Sequence, residues 1–126
     1  MDIAQTHLWW AWLGVLLGMV SGAVMGLFFH AEHWLGGYGS WQRRMLRLGH
    51  ISFFGIAFLN FAYANTAFIA SAGAYASWIS PLLIAGAVLM PSVCALAAFH
   101  KPLRHLFPLP VIALAGATSL LLYGGF

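Results

Sequence analysis

The chain has 126 residues, 63% of them hydrophobic and 6% charged, against roughly 45–50% and 25% in an ordinary soluble domain. Five Lys and Arg and two Asp and Glu cannot cover a compact soluble fold, and a mean hydropathy of +0.90 belongs to membrane proteins, which excludes a soluble globule, disorder and collagen. A net charge of +3 is too small for a nucleic-acid footprint, and the lone Cys94 excludes an internal disulfide and the paired-cysteine zinc and redox motifs.

The first uncharged apolar stretch, Leu8 to Phe29, has 22 residues, about 33 Å as a helix and long enough to cross the hydrocarbon core. A cleavable leader is not expected, because no Lys or Arg precedes this stretch and no small-residue cleavage site interrupts it. The next uncharged stretch, Leu48 to His100, is 53 residues long and must hold two spans. The break is expected at Ser71–Ser77, a run of small and polar residues ahead of Trp78 and Pro81. A last span enters through Pro108 and Pro110. The expected fold is an all-α integral membrane protein, a four-transmembrane-helix bundle of two helical hairpins in one domain over 1–126, with spans near 8–30, 46–70, 78–99 and 106–125.

All five Lys and Arg fall in two connections, Arg43, Arg44 and Arg47 after the first span and Lys101 and Arg104 after the third. In a four-span chain these share a side, and the bias of Lys and Arg toward cytoplasmic loops places it inside. Both termini and the Ser71–Ser77 loop are then outside, an N-out/C-out topology in a bacterial-type inner membrane. Trp9, Trp10, Trp12, Tyr75, Trp78 and Tyr123 fall at the outer edge, with Trp34, Tyr38 and Trp41 at the inner one, as aromatic belts do.

Gly14, Gly18, Gly22 and Gly26 recur every fourth residue, three overlapping GxxxG units over about 18 Å of helix. Such a stripe permits close backbone approach, within the bundle or in self-association, and expected partners are membrane lipids, other membrane subunits or further copies of the chain. Pro91 falls inside the third span and removes a helical hydrogen bond, with Ser92 placed to re-satisfy the freed carbonyl. Asn60 is the strongly polar side chain deep in the second span and suits interhelical hydrogen bonding.

Six histidines in so apolar a chain are the anomaly. Five of them, His30, His33, His50, His100 and His105, map to the inner side, and His7 alone maps outside. His30 continues the glycine series by one more step of four, and His33 shares its face if the helix continues that far. His50 and His100 reach a similar depth on the second and third helices.

Three chemistries fit this pattern. His30, His33, His50, His100 and Glu32 are donors for zinc, iron or copper. Two histidines on facing helices would ligate haem b, non-covalently since no CxxCH is present, with Arg43, Arg47 or Arg104 on its propionates. The same histidines and arginines would also hold an anionic headgroup or a quinone-like oxygen. Against all three stands simple capping of helix C-termini by histidine. The expected function is a small integral subunit of a larger redox or respiratory membrane complex with a histidine-rich inner-face site. The alternatives are a membrane enzyme of a lipophilic substrate, or a homo-oligomeric transporter or channel lined by Asn60, Asn65 and Ser92. No hydrolase, Walker or dinucleotide motif is present.

Overall fold

A computed structural model describes residues 1–70 and 73–124, with backbone alone for 68–70. It is all-helical, and four helices are long and apolar enough to span a membrane. These are α1 (Ile3–Phe28), α2 (Trp41–Ala70), α3 (Ala76–Phe99) and α4 (Pro108–Gly124). Of the expected hairpin loop, Ser71 and Ala72 lie outside the described residues.

The helix starts differ from the hydropathy boundaries because local chemistry sets them. Helix α1 begins at Ile3, five residues before the apolar run, because Asp2 and Gln5 form a reciprocal capping box: Oδ1 of Asp2 accepts from the Gln5 N–H at 2.7 Å and Oε1 of Gln5 from the Asp2 N–H at 3.1 Å. Helix α2 starts at Trp41 and so carries Arg43, Arg44 and Arg47 on its first turns. Helix α3 runs on through Pro81 and Pro91.

Consecutive helices pack antiparallel, as the glycine contacts show. A side chain at Gly14 would meet Ala57 and the Phe53 carbonyl, at Gly18 the Phe54 ring, and at Gly22 the His50 ring. The partner number falls as the glycine number rises. The glycine stripe of α1 is therefore taken by α2 of the same chain, and only its last member, Gly26, faces open space. Gly49 approaches Cys94 between α2 and α3, and Gly86 approaches Leu114 between α3 and α4. With no hydrophobic force between helices inside lipid, these close approaches supply the dispersion contacts that hold the pairs.

The helices pack in sequence, α1 on α2, α2 on α3 and α3 on α4, while α1 and α3 touch little. Tyr63, Ile79, Leu83 and Ala117 form the core shared by α2, α3 and α4. Large apolar side chains such as Leu16, Met19, Phe58, Ile112 and Leu122 stay exposed on the outside of the bundle, the surface that lipid tails cover in a membrane.

The α1–α2 connection is tied down by one buried arginine. Leu35, Gly36 and Gly37 adopt positive φ of 50°, 84° and 94°, reversing the chain. Arg43, 4% exposed, grips the turn from α2: Nε donates to the Trp34 carbonyl at 2.6 Å and Nη2 to the Ala31 carbonyl at 2.5 Å. Its guanidinium also lies over the Trp34 ring at 5.2 Å, and that ring stacks on Phe28. The two basic connections meet at Trp41, whose indole N–H donates to the Ala97 carbonyl at 2.6 Å while Lys101 lies 5.3 Å from its ring.

Candidate functional site

The histidines expected to converge at the basic end do not gather there. Helix α1 stops at Phe28, so His30 and His33 lie in the following turns and share no helical face. Both are exposed, as are Glu32, His100, Arg104 and His105. His100 marks the end of α3, where its N–H bonds the Leu96 carbonyl at 2.8 Å. Among the described residues, no three His, Cys, Asp or Glu side chains come together as a metal-binding group.

The arginines proposed for propionates have separate surroundings. Arg43 is committed to backbone carbonyls, Arg104 is exposed, and Arg47 lies over the Tyr38 ring at 4.1 Å with its Nη1 buried and unpartnered among the described residues.

His50 alone of this set faces into the bundle. It lines a cleft of about 610 Å³ bounded by Leu17, Val24 and Met25 of α1, Phe53 of α2 and Val88 and Ala95 of α3. The cleft is largely apolar, and Gly49, Trp10 and Trp34 also line it. The α1 residues that line it run from Trp10 to Met25, about 22 Å of helix.

The hydrogen bonds around His50 couple its tautomer to the Ser21 hydroxyl. The Ser21 hydroxyl donates to the Gly18 carbonyl at 3.0 Å, and the same Oγ lies 3.0 Å from Nδ1 of His50. A serine has one hydrogen to give: with that hydrogen on Gly18 the imidazole Nδ1–H donates to Ser21, whereas with it turned to Nδ1 the imidazole proton sits on Nε2. In the first arrangement Nε2 is a bare lone pair, and no protein group among the described residues pairs with it. Gly22 permits this arrangement, since a Cβ there would lie 2.7 Å from Cε1 of His50. Ser92, also on the cleft, donates to the Val88 carbonyl at 2.6 Å rather than to the carbonyl of Ala87 left without a donor by Pro91.

The histidine set aside by the sequence reading is the one fully buried. His7 is 0% exposed and bridges three helices at the end opposite the arginines. Its Nδ1 lies 2.6 Å from Oδ1 of Asn60 on α2 and its Nε2 2.8 Å from Oγ of Ser80 on α3. The Asn60 amide hydrogen donates to the Ile56 carbonyl at 2.9 Å, which orients Oδ1 toward His7 and puts the proton on Nδ1. The Ser80 hydroxyl then donates to Nε2. Tyr63 packs edge-on to the imidazole, ring centroids 4.6 Å apart, with its hydroxyl buried and unpartnered among the described residues.

A usable signal for His7 lay in the sequence. Helical spacings of four and three carry the stripe backward, from Gly18 and Gly14 to Ala11 and His7, and His7, Ala11 and Gly18 are buried. Asn60 and Ser80 were the matching polar partners. Their depth relative to His7 became visible only with the helices paired.

No protein-family model, curated protein or solved structure matches the chain.

Proposed function

We propose that this chain is an integral membrane protein that binds a lipophilic molecule, taken laterally from the bilayer, in the cleft between α1, α2 and α3. The observation that carries this reading is the cleft of about 610 Å³, lined by apolar side chains and bearing one imidazole. Ligand sites are typically concave, largely apolar and equipped with a few placed polar groups. Because α1 and α3 touch little, the gap between them is the entry route. The pocket fits the membrane-enzyme alternative as a substrate site, and it fits a subunit of a redox complex as a carrier site.

Haem b is a second reading, favoured by one observation: a bare Nε2 in an apolar cleft is also a metal ligand. The geometry supplies a single imidazole for it, since His30, His33 and His100 are exposed elsewhere.

For topology, we propose that the end carrying Arg43, Arg44, Arg47, Lys101 and Arg104 faces the cytoplasm, on the strength of the positive-inside bias. Reporter fusions to the 29–40 connection and to the end of α4 check this, and a periplasmic signal from the former would reverse it.

The test of the binding reading is an organic extract of protein purified in mild detergent, examined by mass spectrometry and preceded by a visible spectrum as isolated and after reduction. A near-stoichiometric lipophile, lowered about tenfold by filling the cleft with Val88→Trp, is the expected result. A Soret band would replace this reading by haem. Unchanged lipid content in Val88→Trp would overturn the cleft as the site.

A further inference from the structure

We infer that the molecule held in this cleft is a long-tailed phenol or hydroquinone, whose O–H donates to Nε2 of His50 while its tail runs along α1 toward Trp10. The inference rests on the cleft being a binding site and adds the chemistry of what it selects.

Three side chains bring hydroxyl or imidazole groups to the cleft, Ser21, His50 and Ser92, and with the Ser21 hydrogen on the Gly18 carbonyl, the arrangement this inference takes, all three direct their hydrogens into the protein. Ser21 donates to Gly18, His50 donates through Nδ1 to Ser21, and Ser92 donates to Val88. What they present to a ligand is lone pairs. A ligand that also offers only lone pairs would leave the His50 acceptor unmatched in an apolar site, which is unfavourable, whereas an O–H completes it. Phenolic O–H suits an imidazole acceptor well, since its pKa near 10 makes it a more acidic and stronger donor than an aliphatic alcohol.

The surroundings of His50 match an aromatic head. Phe53 and Trp34 line the same cleft, and Trp34 is held by stacking on Phe28, ring centroids 5.2 Å apart, and by the Arg43 guanidinium 5.2 Å from its ring. Fixed aromatic walls favour offset or edge-on contact with a second ring. From Gly22, level with His50, back to Trp10 the α1 wall then offers about 18 Å of largely apolar surface, room for an extended prenyl or alkyl tail. A phospholipid acyl chain would fill the tail region equally well, but its ester head brings no donor to His50.

The experiment compares a long-chain alkylphenol with its methyl ether, which differ in the one hydrogen, for binding to the protein in phosphatidylcholine nanodiscs. The corresponding quinone serves as an acceptor-only competitor. The phenol is expected to bind about tenfold more tightly than the ether, the effect of one net hydrogen bond. His50→Phe is expected to remove that preference while leaving ether binding in place, which also shows that the variant is folded. Ser21→Ala, which releases the Nδ1 hydrogen, should shrink the preference without abolishing binding. Equal binding of phenol and ether, or a preference for the quinone through the indole N–H groups of Trp10 or Trp34, would overturn the donor inference and leave the binding site standing. Failure of all three to displace bilayer lipid would overturn both, showing that ordinary acyl chains fill the cleft. Retention of the phenol preference in His50→Phe would place the acceptor elsewhere.

Discussion

The imidazole of His7 and the carboxamide of Asn60 meet at 2.6 Å across 53 residues of sequence, with neither side chain exposed. Each partner is oriented by a further bond, Asn60 by the Ile56 carbonyl and His7 by Ser80. The His7–Asn60 and His7–Ser80 bonds thus have defined directions, and through them α1 is joined to α2 and α3.

Removing one member of this junction should destabilise the bundle more than its modest size implies. His7→Leu leaves Oδ1 of Asn60 and the Ser80 hydroxyl without a partner, and Asn60→Leu leaves the Nδ1–H of His7 unpaired. Each is expected to cost about 1–2 kcal/mol. The double variant should cost less than the sum, with a coupling of about 0.6–1.7 kcal/mol. A double-mutant cycle from detergent or SDS unfolding curves checks this. Strict additivity would mean that the contact contributes nothing as a pair.

The glycine stripe of α1 should divide into sensitive and tolerant members. At Gly14 a Cβ would lie 3.0 Å from Cβ of Ala57 and 3.1 Å from the Phe53 carbonyl oxygen, whereas at Gly26 nothing lies within 4 Å. Gly14→Val is expected to separate α1 from α2 and cost about 1–3 kcal/mol. Gly26→Ala should be neutral or stabilise by up to about 1 kcal/mol, through the better helix propensity of alanine. The same unfolding assay separates the two, and an equal loss in both would mean that the stripe also serves an interface outside the chain.

Arg43 should resist conservative replacement. Its Nε and Nη2 hold two different carbonyls, at Trp34 and Ala31, a fork that a single lysine ammonium does not reproduce. Arg43→Lys and Arg43→Ala are therefore both expected to loosen the 29–40 connection and to speed limited proteolysis there several-fold. Arg44→Ala, at an exposed position, should leave the cleavage rate near that of the parent chain. Protection retained in Arg43→Lys would show that charge alone holds the turn.

Cys94 offers a probe of the α2–α3 contact. It is fully buried, with Gly49 approaching its Cβ, so maleimide should not label it in the folded protein and should label it fully after SDS denaturation. Gly49→Leu, which forces the helices apart at this point, should make the thiol reactive without denaturant. Rapid labelling of the parent chain would contradict the packing of α2 on α3.

The number and character of the spanning helices were legible in the order of the amino acids. Hydropathy and charge are properties of contiguous residues, so three long uncharged stretches separated by Arg43–Arg47 and Lys101–Arg104, the middle one long enough for two helices, define four candidate spans. Antiparallel pairing followed from the short connections, and the glycine period marked the face that α2 covers.

Tertiary structure alone decided which polar residues meet. Whether a histidine faces lipid, a cavity or another helix depends on the rotation of each helix about its axis and on where it ends, and neither is a local property. His30 left the stripe because α1 stops at Phe28, while His7 stayed on it and met Asn60 and Ser80. The tautomer of His50 is likewise a product of packing. It depends on whether the one Ser21 hydrogen goes to Gly18 or to an imidazole 29 residues away, and that choice sets what chemistry the cleft presents.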